Sequence, residues 1–161
     1  MSGDELKIVL IGIGSASRGD DEAALAVIQR LRPRLKGVGI VETDGEPTRL
    51  LDAWEDADLA IIVDSVHSHD APVGYVHRFD LGPESLSTAR PSRSHGMGPI
   101  EAVEIGRALG RLPGRLILYG IEGHDFGEGA SITPEVTIAI DEVVERINRE
   151  VDVARSSHGA P

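Results

Sequence analysis

Two aspartates and one histidine of this chain have the types and positions that a metal-binding or acid–base site needs. Asp21 follows the apolar stretch KIVLIGIG, and Asp64 comes directly after the apolar stretch LAIIV. His95 lies in a stretch rich in serine, glycine and proline. Two carboxylate oxygens and one imidazole nitrogen form a ligand set suited to zinc or nickel. Three protein ligands would also leave coordination positions for water or a substrate group.

Each of these residues has a purely structural explanation as well. Asp20 or Asp21 can cap the helix that follows, and Asp64 can begin a turn. A single histidine in a loop, such as His95, is usually only solvated. Two carboxylates that share one edge of a sheet repel each other, however, and require a cation or a shared proton. The functional interpretation therefore depends on whether the fold brings Asp21 and Asp64 together.

The elements around these residues predict a three-layer α/β sandwich, with a twisted, mostly parallel five-stranded sheet flanked by helices. The predicted strands are Ile8–Ile13, Val38–Thr43, Asp58–Ser65, Gly74–Phe79 and Arg115–Ile121. The predicted helices begin at Asp21, Pro47, Pro99 and Pro134, the last with Thr133 as its cap. Ligands collect beyond the carboxyl ends of such strands, and the first and third strands are often neighbours. We therefore expect Asp21 and Asp64 to meet at that edge.

Length and composition favour one cytoplasmic domain. The 161 residues are 40% hydrophobic and 27% charged, and we expect a single α/β domain over residues 1–151 with a disordered tail over 152–161. The net charge of −11 repels nucleic acids and anionic membranes, so neither is expected as a partner. The chain has no cysteine, which excludes thiolate nucleophiles and thiolate metal sites. The acidic start MSGDELK and the lack of a long apolar run favour a cytoplasmic location.

One other pattern gives a weaker indication of function. Gly12 and Gly14 resemble the start of a dinucleotide fingerprint, but Ser17 stands where its third glycine belongs. We assign both glycines to the turn alone.

The remaining histidines are interpreted as surface residues or left open. His67 and His69 lie in a predicted turn and are expected to be solvated. His77 is expected at an exposed position of an edge strand. His124 lies near the same sheet edge, in a stretch whose glycines indicate flexibility first.

In the order of its motifs, the chain resembles the nickel–iron hydrogenase maturation endopeptidases. That family begins with a strand leading into Gly-x-Gly-Asn and an acidic pair, matched here by GIGSASRGDD at 12–21. A second strand ends in Asp-Gly, as at Asp44, and a third ends in the IIVDS sequence around Asp64. The loop motif SHGMG at 94–98 and the late stretch GIEGHDFGEGASITPEV complete the pattern. Ser15, in place of the usual asparagine, is one departure from it.

The resemblance implies an endopeptidase that removes the C-terminal extension of a hydrogenase large-subunit precursor after nickel insertion. By motif, the family's metal-contacting positions fall on Asp21, Asp64 and His95, our candidates for both catalysis and metal binding. The resemblance also implies that the nickel belongs to the precursor and is not held permanently by the protease. The alternative is a non-catalytic, chaperone-like module on the same fold that senses nickel. The sequence leaves the oligomeric state open, and we expect a monomer.

Two mechanisms are compatible with these residues. A cation can polarise the scissile carbonyl or lower the pKa of an attacking water. Alternatively, one of the two aspartates acts as a general base. The sequence does not choose between them.

Overall fold

Five strands and four helices are formed by the residues that the computed structural model describes, which are 5–14, 19–68, 70–83, 98–124 and 131–158. In chain order they are β1 (Ile8–Ile13), α1 (Ala23–Leu31), β2 (Gly39–Thr43), α2 (Pro47–Ala53), β3 (Leu59–Val66), β4 (Val76–Asp80), α3 (Gly98–Leu109), β5 (Arg115–Glu122) and α4 (Pro134–His158). A 3-10 turn, Gly19–Glu22, precedes α1. None of the helices in these ranges is long and apolar enough to cross a membrane.

The strands form one sheet in the order β2-β1-β3-β5-β4. The first four strands of that order are parallel, and β4 pairs antiparallel with β5 at one edge. This arrangement confirms the predicted mostly parallel, five-stranded sheet. It also confirms that β1 and β3 are neighbours, and their register sets Ile13 beside Asp64. The carboxyl ends of the two strands therefore lie at one edge of the sheet.

Helices cover both faces of the sheet. One face packs against α1 and α4, and the other packs against α2 and α3. Strand β3 is apolar almost throughout because it is buried on both sides, with Ile61 and Val63 under α1 and α4, and Ile62 under α2 and α3. Each such buried side chain contributes about 1.5–3 kcal/mol. Burial on both faces makes the sheet the middle layer of a three-layer sandwich.

Two glycines let the acidic turn and α1 pack directly on β1. A Cβ atom on Gly14 would lie 2.4 Å from the backbone oxygen of Asp21, and one on Gly12 would lie 2.5 Å from Cγ1 of Ile28. Neither glycine has a positive φ angle. Glycine is therefore needed at both positions because a side chain would clash with the turn or with α1. The assignment of both glycines to the turn alone did not anticipate this packing role.

The start of α1 differs from its expected position. The helix begins at Ala23 after the 3-10 turn, and not at Asp21. Glu22 occupies its N-cap position, and its side chain forms no capping hydrogen bond. The expectation that Asp20 caps this helix is therefore wrong.

The last helix extends further than the sequence pattern indicated. The expectation of a disordered tail from residue 152 is wrong for residues 152–158, because α4 continues to His158. Val151 is buried and Ala154 packs against the core. The guanidinium of Arg155 donates a hydrogen bond to the backbone oxygen of Lys36, which fixes the end of the helix. Residues 159–161 lie outside the described ranges.

Substitution of Gly14 by alanine tests whether the close approach of the acidic turn stabilises the fold. We expect Gly14→Ala to lower the free energy of unfolding by about 1–3 kcal/mol, because the new methyl group meets the backbone of Asp21. The matched control is Gly39→Ala in β2, whose Cβ would meet its nearest neighbours at 3.7 Å and should change stability by about 0.5 kcal/mol or less. Urea unfolding of both variants measures the difference, and equal stabilities would contradict this account.

Candidate active site

Asp64 is the most electrostatically perturbed carboxyl group at the carboxyl edge of the sheet within the described part of the chain. It lies near the end of β3, level with Ile13 of β1 and Gly120 of β5. Burial raises the pKa of Asp64 to about 8, and the charge of Asp21 adds to this rise, while the backbone N–H of Ser65 opposes it. At neutral pH the Asp64 carboxyl group therefore holds a proton most of the time.

Asp21 lies in the 3-10 turn between β1 and α1 and is partly exposed. It is close enough to Asp64 for its negative charge to raise the pKa of that residue. The structure thus brings together the two aspartates that the sequence placed at one edge. A divalent cation between them would relieve their repulsion and favour the ionised form of Asp64.

His95, the third predicted site residue, lies outside the described residues. It precedes the first residue of α3, Gly98, by three positions in the sequence. Helix α3 packs on the α2 side of the sheet, and the alternation along β3 places Asp64 on that same side as Ile62. Within the described ranges no group of three or more His, Asp or Glu side chains could hold a metal ion. The part played by His95 therefore stays a prediction.

Asp20, the neighbour of Asp21, links three segments of the chain at this edge by hydrogen bonds. Its side chain is fully buried. Its carboxylate accepts hydrogen bonds from the backbone N–H groups of His124 and Thr133, each at 2.8 Å, and from the Thr133 hydroxyl at 3.2 Å. The Ser65 hydroxyl donates to the backbone oxygen of Asp20 at 2.9 Å. Asp20 therefore fastens the turn that carries Asp21 to β3 and to both sides of the β5–α4 connection.

A second buried acid, Glu122, is the last residue of β5. Its carboxylate accepts hydrogen bonds from the backbone N–H of Ser68 at 3.1 Å and from the Ser68 hydroxyl, and it lies 2.8 Å from Nε2 of His77. Burial alone would raise the pKa of Glu122, but the hydrogen bonds from Ser68 and His77 outweigh burial and hold this pKa below its usual value. The expectation that His77 lies in an edge strand is confirmed, but the expected exposure is wrong, because its side chain is only 21% exposed beside Glu122.

Two further histidines meet at the same edge of the sheet. The rings of His67 and His124 lie 6.5 Å apart between centroids and are nearly perpendicular, at 81°. Both residues are exposed, as expected for His67. Their proximity was missed because the sequence gives no sign that the connections after β3 and β5 run side by side. His69, the other member of the predicted histidine pair, lies outside the described residues.

Comparison with known proteins identifies a single family. The family model described as HycI, hydrogenase maturation protease, matches residues 25–150. The matched range contains Asp64 and His95 and begins shortly after Asp21. This match confirms the resemblance seen in the motifs. No curated protein sequence matches the chain.

Solved structures of hydrogenase maturation proteases share this fold. The endopeptidase HybD of Escherichia coli is 20% identical, with a TM-score of 0.74 and coverage of 94% of each chain. The [NiFe] hydrogenase maturation protease HybD of Thermococcus kodakarensis is 22% identical, with a TM-score of 0.69 over 89% of this chain and 98% of that one. The [NiFe] hydrogenase maturation protease HycI of the same organism is 23% identical, with a TM-score of 0.64 over 92% of this chain and 93% of that one. At these identities the comparison establishes the fold.

The raised pKa of Asp64 predicts that this residue destabilises the metal-free protein as the pH rises. Between about pH 4 and pH 8 the native state keeps a proton that the unfolded chain releases, so the free energy of unfolding falls with increasing pH in that range. Asp64→Asn removes this titration and should stabilise the protein at pH 7 by about 1–3 kcal/mol.

Urea unfolding in the presence of a chelator, repeated across this pH range, measures the effect. The stability difference between Asp64→Asn and the wild type should grow from near zero at the acid end. Asp152→Asn, at an exposed position of α4, is the matched control and should follow the wild type throughout. A destabilised Asp64→Asn variant, or an unchanged dependence on pH, would contradict the assignment of a neutral Asp64.

Proposed function

Because the chain belongs to the hydrogenase maturation protease family, we propose that it cuts the C-terminal extension from a nickel-loaded hydrogenase large-subunit precursor. The observation that carries this proposal is the pair of carboxyl groups at the sheet edge, where burial and the charge of Asp21 raise the pKa of Asp64 to about 8. A perturbed acid beside a second acid is typical of functional sites. The family match supplies the reaction class, which is peptide hydrolysis.

Recognition of the precursor follows from the electrostatics of this pair. The nickel of the precursor is part of the substrate, and its positive charge would favour the ionised form of Asp64, so that its binding releases a proton. Asp21 and Asp64 supply carboxylate oxygens, and His95 is our candidate for an imidazole nitrogen. A precursor without nickel lacks the charge that offsets the repulsion between the two acids and should bind less well.

The hydrolytic step adds water across the scissile peptide bond. The oxygen of the water bonds to the carbonyl carbon, the carbon–nitrogen bond breaks, and the leaving nitrogen gains a proton. A general base must be ionised to accept a proton, and the charge of the nickel favours the ionised form of Asp64. We therefore propose that Asp21, Asp64 and His95 contact the substrate's nickel, and that the Asp64 carboxylate takes the proton of the attacking water and passes it to the leaving nitrogen.

Cleavage of purified precursor tests the proposal. The wild-type protein should shorten nickel-loaded precursor, and not nickel-free precursor, as measured by intact mass. Asp21→Asn, Asp64→Asn and His95→Ala should each reduce the cleavage rate by about 100-fold or more. Asp152→Asn serves again as the control and should cleave at the wild-type rate.

Two results would contradict this assignment in different ways. Efficient cleavage by the double variant Asp21→Asn/His95→Ala would show that the reaction occurs elsewhere. Binding of loaded precursor without any loss of mass would instead favour the chaperone-like, nickel-sensing module.

A further inference from the structure

A cavity lined by arginines lies on the α4 side of the sheet, away from the two aspartates. Its volume is about 290 Å³, and its main polar lining is formed by Arg78, Arg115, Arg146, Arg149 and Glu150. Arg115 begins β5 and pairs with Leu59 in the register, five positions before the level of Asp64. At about 3.3 Å per residue, the two places are roughly 16 Å apart along the strands. The cavity is therefore separate from the candidate active site.

The charge of this cavity is opposite to that of the whole protein. Four guanidinium groups and one carboxylate give its lining a net charge of +3, whereas the chain carries −11. The one carboxylate is already engaged, since Glu150 accepts two hydrogen bonds from Arg78, at 3.1 and 2.8 Å, and one from the hydroxyl of Tyr119. Glu150 thus orients Arg78, and although its charge also acts on Arg115, one carboxylate cannot neutralise the four cations of the cavity.

Two of the arginines are available to a ligand. Within the described residues, the side chains of Arg115 and Arg149 form no hydrogen bond or ion pair of 4.0 Å or less, and both residues are exposed. Arg146 is held over the ring of Tyr119, with 5.2 Å from its guanidinium carbon to the ring centroid, and bonds Glu142 at 3.1 Å. The cavity therefore combines two held guanidinium groups with two whose donors can turn to a bound anion.

The floor and rim of the cavity restrict the ligand to a small molecule. Tyr119 is buried in the sheet, and burial, with the adjacent Glu150, raises its pKa to about 12, so its hydroxyl stays neutral. Val153 is 61% exposed at the rim and offers a small apolar contact. A volume of about 290 Å³ lies just below the range for small-molecule sites, roughly 300–1,000 Å³.

We propose that this arginine cavity between α4 and the β4–β5 edge binds a small phosphate-bearing anion. Guanidinium groups match the geometry of phosphate oxygens through paired N–H donors. The net charge of +3 on the lining favours a multiply charged anion over a monovalent one. A bound phosphate also relieves the repulsion among the four cations that surround the cavity. The proposal does not depend on the hydrolytic function, because it uses none of the residues assigned to it.

Calorimetric titration of the full-length, metal-free protein tests this proposal. The probes are inorganic phosphate, pyrophosphate and phenyl phosphate, with sodium chloride at matched ionic strength as the reference. We expect saturable binding of at least one phosphate probe and none of chloride. Tighter binding of phenyl phosphate than of inorganic phosphate would indicate a phosphate ester as the ligand, and the reverse would indicate free phosphate.

A charge-matched pair of double variants separates the site from the general effect of charge. Arg115→Gln/Arg149→Gln should weaken the binding of the phosphate probe by roughly tenfold or more, since charge-assisted donors are lost. Arg32→Gln/Arg49→Gln removes the same charge at arginines paired with Glu42 and Asp44 elsewhere, and should leave the affinity within about twofold. Circular dichroism confirms that both variants fold. Equal weakening in the two variants, or no saturable binding up to about 10 mM of any probe, would overturn the proposal.

Discussion

The buried carboxylate of Asp20 is the constraint on which the geometry of the acidic edge depends. A buried charge is costly unless hydrogen bonds replace its lost hydration. Asp20 gains them from residues 104 and 113 positions away, His124 and Thr133. The requirement is mutual, because the backbone N–H groups of those residues also need acceptors. These bonds fix the 3-10 turn relative to strand β3 and the β5–α4 connection. Asp21 lies in that turn and is therefore fixed as well.

The acidic side chains of this edge differ in how many hydrogen bonds they accept, and that difference distinguishes structural residues from candidate catalytic ones. Asp20 and Glu122 are almost fully buried, and several donors stabilise the negative charge of each. Asp64 has no comparable set of donors in the described part of the chain, and burial keeps it protonated. A carboxyl group that takes up or loses its proton near neutral pH is useful for binding a cation or transferring a proton, whereas a fully bonded carboxylate is not.

Much of this arrangement could be predicted from the sequence because apolar runs and helix-start signals are local. The five strands, their mostly parallel pairing and the meeting of Asp21 with Asp64 follow from such patterns and from the usual order of strands. The bonds of Asp20 and of His77 could not be predicted, because their partners are distant in sequence and no local pattern indicates them. The end of α4 was missed for the same reason, since its anchor is the backbone of Lys36. The arginine cavity is likewise assembled from three separate elements.

The acidic edge and the arginine cavity give this small domain two regions of opposite charge, and their separation keeps the electrostatic interaction between them weak. At roughly 16 Å, one unit charge changes the energy of another by about 0.3 kcal/mol in water, and by about 1 kcal/mol at the effective dielectric constant of about 20 that suits a buried group. That is a small part of the effect that burial has on Asp64, whose pKa rises from 3.8 to about 8. Each unit of negative charge bound in the cavity would therefore raise the pKa of Asp64 only slightly compared with burial. Any stronger coupling between the two regions would have to pass through the sheet itself, by a shift of β5 or α4.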